Sequence, residues 1–171
     1  MKLSLKKHGL FFQLFILVSS LVNATAAEKV ERLKLSENTK QEMIKVLEIN
    51  DKLHDTFFNY SGDSIEKNAK SLSESISSIK DKDISNLLNF ANKKLQEIKA
   101  SNEKEKNNEL YHIVSTALIY IVNKYDVGEK YNAYSCPMVK KKWIQNSQSK
   151  DEIQNPYAAN MPNCGTKDSN F

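Results

Sequence analysis

The sequence predicts a mainly α-helical protein, an up-and-down four-helix bundle closed by an irregular C-terminal cap. Three observations carry that expectation. Between residues 37 and 125, four stretches repeat apolar residues every three or four positions, the period of one helix face. Glycine and proline are scarce, with 4 and 3 in 171 residues, which disfavours a turn-rich β-sandwich. All three prolines and both cysteines fall after residue 130, where the helical period stops.

The first residues read as targeting. Lys2, Lys6 and Lys7 precede an apolar run from Leu10 to Val22, broken only by Gln13, Ser19 and Ser20. Ala24, Thr25 and Ala26 then place small residues where a signal peptidase cuts. Residues 1–26 are therefore expected to be a signal peptide, cleaved after Ala26, with Val22-Asn23-Ala24 as a second site. The run is too short for a stable membrane anchor, which needs about 20 apolar residues. No cysteine lies near the cut, which argues against a lipid anchor. The mature chain is expected to be exported, without stable membrane insertion.

Cleavage also removes most of the net charge. The whole chain carries 25 basic and 21 acidic residues, net +4, and losing three lysines leaves 22 against 21. A nucleic-acid binder keeps a concentrated basic face. Here only Lys140-Lys141-Lys142 stands out, and short charge runs read as solvated loop. Nucleic acid is not an expected partner.

Residues 27–36 are charged and aperiodic and read as a flexible leader. Residues 37–165 are expected to be one helical domain, its cap spanning 131–165, with 166–171 as a tail. From Glu37 to Phe58 the stripe is Met43, Leu47, Leu53 and Phe57, with His54 beside it. The stretch NYSGD stops that helix, and Asp63 with Glu66 has the spacing of a capping box for the next. Ile65, Ala69, Leu72, Ile76 and Ile79 form the second stripe, which KDKD breaks. The third starts near Ile84 and runs through Leu87, Leu88, Ala91, Leu95 and Ile98. A charged linker, Ser101 to Asn108, leads to the fourth: Leu110, Ile113, Val114, Ala117, Leu118, Ile121, Val122 and Tyr125, ended by Gly128. The fourth is apolar on more than one side, so it belongs at the centre, with the cap over its extra face. A chain of this length can bury one modest core, about two-thirds of its unfolded surface. In the cap, Tyr131 to Cys136 (YNAYSC) can form a short strand or one arm of a hairpin, and the remainder is expected as ordered loop.

The sulfur chemistry gathers in that cap. Two cysteines in an exported chain point first to a disulfide. Closing a loop of about 29 residues stabilises by roughly 3 kcal/mol. Met138 and Met161 each lie within three residues of a cysteine. In an extended Cys136-Pro137-Met138 the two sulfurs share a side, and a turn at Met161-Pro162-Asn163-Cys164 can bring its two together. Thiolate and thioether are soft donors that select Cu(I), so these four residues are candidate metal ligands. Zinc spacings such as CxxC and HxxxH are missing. The competing reading packs the methionines against Trp143 and the tyrosines; spacing leaves both open. His54 and His112 are weaker candidate ligands. His112 lies one turn from Ser115, but no acid completes a triad, the carboxylates are scattered, and no glycine-rich phosphate loop occurs. The chain is not expected to be an enzyme.

The ordered set Cys136-Pro137-Met138, Trp143, Ile153-x-Asn155-Pro156-Tyr157 and Met161-x-x-Cys164-Gly165 resembles a bacterial family of unassigned function. That family occurs as free-standing exported proteins and as an extension of periplasmic adaptors in copper/silver efflux systems. INDKLHDTFFNYSGDSIEKNAKSLSESI is similar to its opening helix pair, and LYHIVSTALIYIV to the helix before Cys-Pro-Met, so the resemblance covers most of Met43 to Gly165. It implies a helical periplasmic domain that holds copper, as Cu(I), or a related soft metal as a buffer or carrier. The implied ligands are Cys136, Met138, Met161 and Cys164. Trp143, Asn155, Pro156, Tyr157 and Gly165 are the implied framework, and the implied partners are the metal ion and an efflux adaptor. The chain departs from the pattern in its short, lysine-rich Cys-to-Trp segment and in Ala159, where the family has glycine. The alternative is a non-catalytic interaction domain fastened by a Cys136–Cys164 disulfide, without metal.

Overall fold

The computed structural model describes residues 31–171. The expected signal peptide lies outside the described residues. Four helices form where the apolar period requires them: α1 Glu37–Phe58, α2 Gly62–Ser77, α3 Lys82–Glu97 and α4 Lys104–Lys124. Two starts have a side-chain cap. The Ser36 hydroxyl accepts the Thr39 amide at α1, and the Asp81 carboxylate accepts the Asp83 and Ile84 amides at α3.

At α2 the expected capping box does not form. Ser61 is the N-cap and makes no side-chain cap bond. Glu66 instead accepts the Ala100 amide at 2.8 Å and pairs with Lys99 at 3.3 Å. A tertiary contact that satisfies an otherwise bare loop amide has displaced the local one. Asn107 secures the same α3–α4 connection, donating to the Lys99 carbonyl at 2.8 Å and accepting from Asn102 at 2.9 Å. Asn107 belongs to the expected linker Ser101–Asn108, most of which is the first turn of α4.

Successive helices pack in chain order, α1 on α2, α2 on α3 and α3 on α4, as short connections require of an up-and-down bundle. Their stripes meet in one core that includes Met43, Leu47, Phe57, Ile65, Leu72, Leu88, Leu95, Val114 and Leu118. Leu87 is the exception. It lies one position off the buried row Ile84, Leu88, Ala91, Leu95, and is exposed together with Phe90. No helix among the described residues is long and apolar enough to cross a membrane.

The cap is more regular than expected. It is a three-stranded antiparallel sheet of β1 Tyr131–Cys136, β2 Lys141–Asn146 and β3 Thr166–Lys167, in the order β2-β1-β3. The strand expected at YNAYSC is therefore central, and the expected tail carries β3. Pro137, which cannot donate to a ladder, ends β1. The four-residue turn closes at Lys140 with φ 53°, and Cys136 then pairs with Lys141. The lysine run is thus one residue of turn, Lys140, and two of strand, Lys141 and Lys142. Lys141 is drawn out of solvent by Glu105 and Glu109 of α4, its ammonium 3.1 Å from Glu105. Strand β2 packs on both α4 and α1, which covers the extra face of α4.

The end of the expected flexible leader is ordered. Leu33 donates to the Lys124 carbonyl and accepts from Asp126, at 2.8 and 2.9 Å. Arg32 donates to the Val122 and Gly128 carbonyls and lies 3.9 Å over the Phe171 ring. Asp126 binds this corner together, accepting the Gly128 amide at 3.0 Å and pairing with Lys40 at 3.2 Å and Arg32 at 3.4 Å. The amide first, then Lys40, hold its carboxyl below the ordinary 3.8. A carboxyl depressed in the fold stabilises it above the unfolded pKa, and that contribution fades as pH falls through the folded value. Asp126→Asn should therefore lower the Tm at pH 7, with the gap to wild type narrowing as pH falls below the ordinary 3.8 and on through the lower folded value. A gap unchanged by acid would mean that Asp126 acts through something other than its charge.

Candidate functional site

Strand alternation puts Asn132, Tyr134 and Cys136 on one face of β1, and the register sets Gln145, Trp143 and Lys141 opposite them. The returning segment, residues 147–165, lies over this face. Tyr134 stacks on Trp143 with centroids 5.9 Å apart, and Tyr157 meets Trp143 edge-on at 6.3 Å. At the far end of the segment the backbone passes directly against the indole. A Cβ on Gly165 would sit 2.7 Å from Trp143 Cη2 and 3.0 Å from the Ser135 carbonyl, so only glycine fits there without movement.

Two buried amide side chains hold the segment in place. Asn155 donates from Nδ2 to the Cys164 carbonyl at 2.9 Å and accepts the Tyr157 amide at 3.0 Å, while its own amide donates to the Pro162 carbonyl at 2.6 Å. Gln145 donates to the Glu152 carbonyl at 2.7 Å and accepts the Gln154 amide at 2.9 Å and the Trp143 indole N–H at 3.3 Å. Gln145 carries no motif of its own. Its signal in the sequence is alternation with Trp143 in KKWIQN, which places both on one face.

This frame brings the cysteines together. Cys136 Sγ and Cys164 Sγ are 2.7 Å apart, closer than two unbonded sulfurs rest and longer than the roughly 2.05 Å of a disulfide, with both cysteines free. Cys136 is 1% exposed and Cys164 is partly exposed. Burial pushes the Cys136 thiol up, but donation toward its sulfur from Cys164, the Val139 and Met138 amides and the Asn155 side chain outweighs it, and the net direction is down. Cys164 shifts up, as the donor to Cys136, with burial adding to the effect. Cys136 is thus the member that ionises first.

The methionines are placed differently. Pro137 ends β1, so Met138 stands in the turn rather than two residues along a strand, and it is 70% exposed. The turn expected at Met161 does form, with the Met161 carbonyl accepting the Cys164 amide at 3.0 Å, and Met161 is partly buried. Sulfurs sharing one tetrahedral ion at about 2.3 Å each stand roughly 3.7 Å apart, so the pair would have to part to hold one. No group of three or more His, Cys, Asp or Glu among the described residues is arranged to hold a metal ion. Among the described residues Lys140 is the one non-glycine with positive φ, so Ala159 has an ordinary backbone and needs no glycine.

The two histidines are committed elsewhere. His54 is fully buried and its Nε2 donates to the Gln154 carbonyl at 2.8 Å, which ties α1 to the returning segment. His112 Nδ1 accepts the Lys142 amide at 3.1 Å, and its ring meets Tyr157 edge-on. Ser115 is wholly buried and its Oγ lies 3.4 Å from Tyr157 Oη, with no hydrogen bond to His112. A groove of about 640 Å³ along α2 and α3, lined by Glu66, Lys70, Ser73, Ser77, Leu95 and Lys99 among others, contains none of these cap residues.

No family model matches the chain, and no curated protein or solved structure matches it either.

Two substitutions test the frame. Gly165→Ala should cost about 1–3 kcal/mol, because indole or strand must move. Asn155→Ala should cost a similar amount by leaving a buried amide and carbonyl bare. Urea titration followed by fluorescence of the single tryptophan, Trp143, reads both; wild-type midpoints would discard the frame.

Proposed function

We propose that this chain is an exported, non-catalytic interaction domain whose C-terminal cap is fastened by a Cys136–Cys164 disulfide. The observation that carries the reading is the 2.7 Å contact of the two sulfurs within a frame built to hold them there. Support for export comes from the basic, apolar and small-residue succession at the start of the chain, since exported proteins are where disulfides persist. The histidines and Ser115 serve packing and hydrogen bonding, which supports a domain without catalysis. Leu87 and Phe90, exposed on α3, supply an apolar face for a partner.

A second reading has its own observation. The amides directed at the Cys136 sulfur favour its thiolate, the form that binds Cu(I), and Met138 presents a thioether from the same turn. With the cysteines reduced and parted, the cap would then act as a soft-metal buffer or carrier, in keeping with the resemblance to domains of copper/silver efflux adaptors.

The two readings separate by experiment. Protein recovered from the periplasm without reductant should be two hydrogens lighter than the reduced form and show no reactive thiol. Reduction should lower stability by about 3 kcal/mol. Free thiols in the fresh protein, with Cu(I) bound and affinity lost in Met138→Leu/Met161→Leu, would overturn the disulfide reading in favour of the carrier.

A further inference from the structure

The two sulfurs of the cap sit in unequal surroundings. Cys136 belongs to the central strand and is 1% exposed, within the same hydrophobic cluster as Trp143 and Tyr134. Cys164 is partly exposed, and its neighbours Pro162 and Asn163 are exposed. It precedes β3, which holds to β1 through just two residue pairs, Tyr134 with Lys167 and Ser135 with Thr166. In thiol–disulfide exchange the attacked sulfur must be reachable, and the displaced sulfur must be able to carry the charge. The cap divides those requirements between its two cysteines. Cys164 is the reachable sulfur. Cys136 is the enclosed sulfur, at the end of β1 beside the turn that holds Met138 and Val139. Against its burial, donation from those amides and Asn155 shifts its thiol down, which suits it to leave as the thiolate.

We propose that the Cys136–Cys164 couple is a thiol–disulfide exchange site with a fixed direction, in which an incoming thiolate attacks Cys164 and displaces Cys136. The proposal rests on the disulfide reading above and adds an activity to it. In the first step the external thiolate forms a bond to Cys164 Sγ, the Cys136–Cys164 bond breaks, and its electron pair leaves on Cys136 as the thiolate. A second external thiolate then attacks the external sulfur of the mixed disulfide and releases Cys164 as a thiolate. Two thiols are oxidised to one disulfide, and the cap is reduced by two electrons. The co-reactant is a thiol. Opening frees the returning segment from its covalent tie to β1, while the Asn155 and Gln145 hydrogen bonds still hold it against the sheet.

The test uses the full mature chain in its oxidised form, with reduced glutathione as the probe. Brief exposure is followed by acid quench, alkylation of free thiols and peptide mass spectrometry. Glutathione should appear on the Cys164 peptide and the alkyl group on Cys136, in about tenfold or greater excess over the reverse arrangement. Equal partition, or glutathione on Cys136, overturns the direction. A disulfide present at the start that survives glutathione for hours, but is reduced promptly once the chain is unfolded in urea, overturns the exchange activity and leaves the disulfide reading standing. Absence of the disulfide from freshly isolated protein removes both. Cys136→Ser, which keeps only the reachable thiol, should take up oxidised glutathione faster than Cys164→Ser; the opposite order counts against the proposal.

Discussion

Asn155 has to satisfy backbone groups from three directions, because the segment it belongs to crosses a sheet face without being a strand. Its own amide reaches Pro162, its side-chain N–H groups reach Cys164, and its side-chain carbonyl takes the Tyr157 amide. A buried backbone group left bare costs about 1–3 kcal/mol, so this one side chain decides whether the segment can lie flat on Trp143 at all. The position of Cys164 follows from it. The Cys164 carbonyl is held by Asn155, the next residue must be glycine to clear the indole, and the sulfur then falls against Cys136.

The same segment carries the contact between cap and bundle. Phe57 of α1 stacks on Tyr111 of α4 at 4.4 Å, Tyr111 touches Tyr157 at 5.9 Å, and Tyr157 continues to Trp143 and Tyr134. Each aromatic pair contributes about 0.5–1.5 kcal/mol beyond its buried area. More important is continuity: one row of rings joins α1, α4, the returning segment and the sheet. Tyr157 also closes its polar end, donating to the Lys142 carbonyl at 3.1 Å. The extra apolar face of α4 is therefore covered by rings whose hydroxyls have partners, which a smooth aliphatic cover could not provide.

A second seam, between α1 and the cap, is polar. Lys150 bonds to Asp55 and to Gln154, and stands 3.8 Å from Asp51. The two carboxylates, one turn apart, shift in opposite directions. Asp51 moves up, chiefly through burial, despite the nearby lysine. Burial raises Asp55, but His54 and Lys150 beside it outweigh that, and it moves down. Asn50 Nδ2, Asp51 Oδ1 and His54 Nδ1 are buried here without a hydrogen bond, the last two having only longer contacts, to Lys150 at 3.8 Å and to Asp55 at 3.6 Å, so this seam is held less completely than the aromatic one. Its consistent feature is the His54 to Gln154 bond, which reaches the residue beside Asn155.

The helices were legible because the apolar period is a local property, visible within each turn: Met43, Leu47, Leu72, Leu88, Leu118 and their neighbours had to face inward whatever lay opposite. The strand YNAYSC was legible too, since its run of residues is extended and bounded by Gly128 and Pro137. The misreadings share one cause. Glu66 left its capping box for Ala100, Lys141 became part of a strand because Glu105 and Glu109 stand across from it, and β3 is two residues long and exists only because β1 offers an open edge. Met138 looked like the partner of Cys136 by spacing, yet the turn after Pro137 sends it into solvent. By itself the sequence determined which segments are helical and where the sulfur chemistry gathers, since both depend on near neighbours. Tertiary structure decided that sulfur meets sulfur across 28 residues, because that contact depends on a glycine, an indole and an amide converging from three separate stretches of chain.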